Sequence, residues 1–101
     1  MTRILQRRGR DKLYIISEIL EIAKDGVLKT HIMYRANLSF TQLNDYLGFM
    51  LEVNFLKKIK KNAKELYKST EKGIVFLNHY QQIQELLREE IEVKYVREAT
   101  K

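Results

Sequence analysis

At 101 residues, 45% of them hydrophobic, the chain can bury one modest core and leaves room for a single domain with at most an appendage. Its net charge of +6 points to a polyanionic partner, nucleic acid first and an anionic membrane surface second. The absence of Cys excludes a disulfide framework, a thiol nucleophile and a zinc ribbon.

The charge is unevenly placed. Arg3, Arg7, Arg8, Arg10 and Lys12 against Asp11 give residues 1–12 a net +4, and seven lysines against Glu65 and Glu71 give residues 57–72 a net +5. The rest of the chain is slightly acidic. Residues 1–10 therefore read as a basic arm. That arm has no signal-peptide core, and no apolar run approaches the roughly 18 residues of a membrane span, so a soluble cytoplasmic protein without a membrane partner is expected.

After the arm, Asp11 is the expected N-cap of a helix whose stripe is Leu13, Ile16, Ile19, Leu20 and Ala23, stopped at Asp25-Gly26. A short second helix covers Leu28 to Ala36, with Ile32, Met33 and Ala36 inward, and ends at Asn37, which tolerates a left-handed backbone. Ser39 followed by Gln42 is a capping box and predicts a third helix from Phe40. On it Leu43, Tyr46, Leu47, Met50 and Leu51 share one face, while Thr41, Gln42, Asn44 and Asp45 look outward. Helix, tight polar turn and capped helix form a helix-turn-helix pattern. The outward first turn carries short hydrogen-bonding side chains that can meet a phosphate or a base edge, with Gln42 the best match to adenine.

Asn54 should end the third helix, and residues 55–70 read as two strands around a polar turn near Asn62. A hairpin directly after such a helix is a wing. Its lysines, Lys57, Lys58, Lys60, Lys61 and Lys64, can reach a phosphate backbone, or they can merely protect an edge strand from aggregation. Thr70 or Ser69 then caps a helix from about Glu71 to Val96, roughly 39 Å long and too long to be covered by so small a domain. On it Phe76, Tyr80, Ile83 and Leu87 recur as a coiled-coil seam, continued by Ile91 and Tyr95. A projecting seam asks for a partner, and a second copy forming a two-fold dimer is the simplest.

The run Lys29-Thr30-His31-Ile32-Met33-Tyr34-Arg35-Ala36-Asn37-Leu38-Ser39-Phe40, the following Leu43 and Tyr46-Leu47, and the Thr70-Glu71-Lys72-Gly73 junction resemble the Sulfolobus 10a family of small archaeal DNA-binding, chromatin-associated proteins. The resemblance runs from the first helix to the last. It implies a mainly α fold with a small β-hairpin: a winged helix-turn-helix domain at 11–72 and a dimerisation helix at 73–101, paired as an antiparallel coiled coil. It also implies a nucleoid-associated homodimer on duplex DNA, with no enzymatic activity, cofactor or small-molecule substrate. In that reading Lys29, Thr30, His31, Arg35, Asn37, Ser39, Phe40, Thr41, Gln42 and Asn44 join the arm and wing as DNA contacts. The third helix has no Arg or Lys between Leu38 and Leu56, which departs from a strongly base-reading helix and implies little sequence specificity.

Three other readings stand beside this one. An enzyme is opposed by the absence of His-Glu-x-x-His, P-loop and nucleophile-elbow patterns, with His31 and His79 the only histidines. A coiled-coil interaction module and a site-specific winged-helix transcription regulator both remain open. Salt dependence of duplex binding separates the first from a DNA-binding protein, and footprinting separates the second from a chromatin protein.

Overall fold

The computed structural model describes residues 11–99, with side chains described as far as Arg88. In chain order they form α1 (Lys12–Ile22), α2 (Lys29–Ala36), α3 (Phe40–Glu52), β1 (Leu56–Lys61), β2 (Lys64–Ser69) and α4 (Glu71–Ala99). Asp11 caps α1, its Oδ1 accepting from the Tyr14 N–H at 2.8 Å. The buried face of α1 is Ile15, Ile16, Ile19, Leu20, Ile22 and Ala23. Leu13, expected on that stripe, is instead 53% exposed. The first turn of α1 overhangs the core, and Leu13 there lines an open groove with Ile16 and, from α3, Tyr46 and Phe49.

Gly26 has φ +92°, a conformation that an L side chain resists, and it turns the chain from α1 towards α2. The next residue, Val27, exchanges both backbone hydrogen bonds with Tyr67, at 3.0 and 2.8 Å. It thus lies beside β2 as a one-residue third strand. Farther along β2, Ser69 donates to the Leu20 carbonyl at 2.8 Å, which ties the hairpin to α1 from inside the core.

The Thr-x-Lys-Gly junction fixes the start of α4. Thr70 Oγ1 donates to the Asn54 carbonyl and accepts from the Gly73 N–H at 3.0 Å. Lys72 Nζ donates to the Val53 carbonyl at 3.0 Å, satisfying an acceptor at the exit of α3. A Cβ at Gly73 would run into the Phe55 carbonyl oxygen and would sit 2.7 Å from Leu20 Cδ2. All three side-chain requirements serve one end: seating α4 on the link between α3 and β1. They give the motif a packing role.

Four residues beyond Gly73, Leu77 is 1% exposed and belongs to the core. The first turns of α4 are therefore part of the domain. Phe76 packs on Phe55 with ring centroids 5.0 Å apart, and Tyr80 stacks on Phe76 at 6.1 Å. Partial burial, then the nearby Asp11 carboxylate and Tyr14, push the Tyr80 hydroxyl above its usual pKa. Tyr80 thus lies within electrostatic reach of the N-terminal end of α1. Beyond it, every residue from Gln81 to Arg88 is exposed. The helix continues to Ala99, three residues past the expected end, because Arg97, Glu98 and Ala99 all favour helix and no breaker intervenes.

Candidate nucleic-acid interface

The helix-turn-helix is built by backbone features the sequence announces. Asn37 closes α2 in the left-handed region at φ 54°, and its N–H meets the Tyr34 carbonyl at 3.3 Å. Leu38 then drops into the core, and Ser39 opens α3. Both halves of the capping box form: the Gln42 N–H donates to Ser39 Oγ at 3.1 Å, and the Ser39 N–H donates to Gln42 Oε1 at 3.0 Å. Gln42 is thereby folded back on the cap. To offer its amide to adenine in two-point fashion, Oε1 must accept from the adenine amine with its second lone pair while it holds the Ser39 N–H, or let that N–H go.

The remaining residues of this half divide by exposure. Thr30, His31, Arg35, Asn37, Phe40 and Thr41 are exposed, while Lys29 and Asn44 are half-buried. Lys29 reaches over from α2, placing Nζ 5.1 Å from the centre of the Phe40 ring. Tyr34, which the sequence reading passed over, is 77% exposed on α2. Its signal was available: it lies off the Ile32/Ala36 stripe, where an aromatic has no core to enter. Gly48 has nothing within 4 Å of the position of a Cβ among the described residues.

The wing pairs antiparallel, with Leu56 opposite Ser69, Lys57 opposite Lys68, Lys58 opposite Tyr67, Ile59 opposite Leu66, Lys60 opposite Glu65 and Lys61 opposite Lys64. Asn62 and Ala63 form the two-residue turn, both with positive φ, at 54° and 65°. Because successive strand residues alternate faces, this register divides the lysines. Lys57, Lys61, Lys64 and Lys68 share one face around Ile59 and Leu66. Lys58 and Lys60 lie on the other, where Lys58 Nζ sits 5.8 Å from the centre of the Tyr67 ring and Lys60 faces Glu65.

The first face therefore contains two directly opposed lysine pairs, Lys57 with Lys68 and Lys61 with Lys64. Like charges opposite one another cost stability, and a polyanion laid along them offsets that cost. Lys68 was missed from sequence because its membership follows only from the register. Around this surface no group of three His, Asp or Glu side chains comes together to hold a metal ion among the described residues. Among those residues, no helix is long and apolar enough to cross a membrane.

Of the proposed dimer seam, Phe76 and Tyr80 are half-buried on their own domain, whereas Ile83 and Leu87 are exposed, as is the adjacent Leu86. Arg88 pairs with Glu85 one turn back. Ile91 and Tyr95 lie outside the residues whose side chains are described, and Arg3, Arg7, Arg8 and Arg10 lie outside the described residues altogether.

Comparison with known proteins agrees with this geometry. An uncharacterized protein of Methanocaldococcus jannaschii, MJ0290, is 37% identical over 79 residues, covering 77% of this chain and 36% of that protein. The chain thus spans about a third of that relative's length. Among solved structures, Sso10a-2, a DNA-binding protein from Sulfolobus solfataricus, superposes with a TM-score of 0.74 at 22% identity, covering 85% of this chain and 90% of that one. The PcaV transcriptional regulator from Streptomyces coelicolor, in complex with its natural ligand, gives 0.58 at 14% identity, covering 98% and 88%. These two likenesses show the fold, a mainly α winged helix with a two-stranded hairpin. A family model described as winged helix-turn-helix matches residues 9–88, from the start of α1 to the middle of α4, and the chain belongs to the winged helix-turn-helix family.

Proposed function

We propose that this chain is a homodimeric duplex DNA-binding protein of the chromatin-organising kind, which holds the phosphate backbone tightly and reads little sequence. One observation carries the reading: α3 has no Lys or Arg, while six of the twelve strand residues in the wing are lysines. A base-reading helix ordinarily brings an Arg or Lys fork for guanine, and α3 has none. Phosphate contacts position a protein on DNA without carrying sequence information, and the wing is rich in side chains suited to making them. The basic arm, Lys29, His31 and Arg35 extend the same surface chemistry.

A mobility-shift titration on random and genomic duplex at two salt concentrations tests the reading. Similar affinities for both duplexes, falling steeply with salt, are expected. A site-specific regulator is the second reading, favoured by the shared fold with PcaV. A footprint confined to one protected operator would select it.

The dimer is supported by the exposed Ile83, Leu86 and Leu87, three large apolar side chains on a helix that outruns its own domain. Burying side chains of this size is worth about 1.5–3 kcal/mol each. Ile83→Asp with Leu87→Asp should therefore separate the protomers. Because two tethered domains bind with a raised effective concentration, the variant should sediment as a folded monomer and bind DNA more weakly. A variant that remains dimeric places the pairing surface elsewhere.

A further inference from the structure

We infer that Phe40 seats against the C5-methyl group of thymine in the major groove, and so gives this interface a preference for A·T pairs. The inference rests on the reading above that this chain binds duplex DNA, and adds that the first turn of α3, the second helix of the helix-turn-helix, enters the major groove.

Phe40 is the first residue of α3 and is 64% exposed. The core's demands at this end of the helix are already met by Leu38 and Leu43, both buried on either side of it. A phenyl ring so exposed at the N-terminal tip of α3 contributes little to the core, and it gains most from an apolar surface brought to it. Lys29 steadies the ring from α2 at 5.1 Å and sets a positive charge beside it. The polar side chains nearby are less available. Ser39 and Gln42 are bonded to each other's backbone N–H groups in the cap. Thr41, the exposed neighbour, adds a methyl and a hydroxyl.

The tip therefore offers mostly apolar contact, flanked by cation. Along the major groove, guanine, cytosine and adenine present donors and acceptors, and thymine alone adds an apolar group, its C5-methyl. Charge complementarity with the backbone comes from Lys29 and the exposed Arg35 on the same helix-turn-helix.

Fluorescence anisotropy on a short A·T duplex and its twin with uracil in place of every thymine isolates that methyl. The parent protein should bind the thymine duplex roughly fourfold more tightly for each methyl it seats. Phe40→Ala should bind both alike, and Phe40→Leu, which keeps an apolar side chain, should retain the difference. The uracil twin tests the parent itself, so the outcome does not hang on any variant folding. Equal binding of the two duplexes by the parent, with its salt dependence intact, overturns this inference alone. A loss in Phe40→Ala that is equal on both duplexes does the same. A parent that binds neither duplex overturns the DNA-binding reading with it.

Discussion

The third helix and the wing are neighbours in the chain and follow opposite rules. Helix α3 satisfies local structure along most of its length, with a complete capping box and a buried stripe of Leu43, Leu47 and Met50, and the large apolar side chains it leaves exposed are Phe40 and Phe49. The wing breaks local rules twice, by opposing lysine to lysine across the strands and by placing Ala63 at positive φ. Sequences tend to be consistent across levels except where function intrudes. On the proposed reading, the contrast assigns the electrostatic work to the wing rather than to α3.

Removing the charge from one face of the wing gives the largest expected effect. Lys57, Lys61, Lys64 and Lys68 changed together to Gln should lower duplex affinity on the order of 10³-fold at 0.1 M salt, with every sequence affected alike. The same variant should be more stable to heat, since two like-charge pairs disappear. Changing Lys58 and Lys60 on the opposite face should cost much less affinity. Equal losses per lysine from the two faces would erase the division within the wing.

Ala63→Gly addresses the second broken rule. Asn-Gly suits a turn with two positive-φ residues, so the variant should gain about 1 kcal/mol in thermal or denaturant unfolding. DNA affinity should be unchanged. On α3 the smaller complement is Gly48→Ala, which fills open space in an exposed helix interior and should gain about 0.5–1 kcal/mol. If Gly48→Ala gains stability but loses DNA affinity, a close approach to the duplex at Gly48 explains the glycine, and α3 contributes more to binding than the contrast allows.

Much of the fold was legible because its signals are local. The Asp11 cap, the Ser39/Gln42 box, and the left-handed Asn37 and Asn54 each depend on a few consecutive residues. What was not legible depends on distant contacts. Gly73 and Leu77 bind the start of α4 into the core through Phe55 and Leu20, so the boundary between domain and last helix cannot be drawn from helical periodicity. For the same reason Leu13 fits the spacing of the α1 stripe yet projects beyond what α3 covers. Among candidate site residues, the grouping of Lys68 with Lys57 required the strand register. The engagement of Gln42 in the cap was implicit in the box itself, whose N3 side chain reaches back to the N-cap N–H.

The central claim, that binding is electrostatic and centred on the wing, is tested most directly by the slope of log K against log salt for duplex DNA. If arm and wing together neutralise roughly 6–8 phosphates, the parent should give a slope of about −5 to −7, and the Lys57/Lys61/Lys64/Lys68 variant a slope shallower by about 3–4. A parent slope near zero, or a variant slope equal to the parent's, would contradict the account.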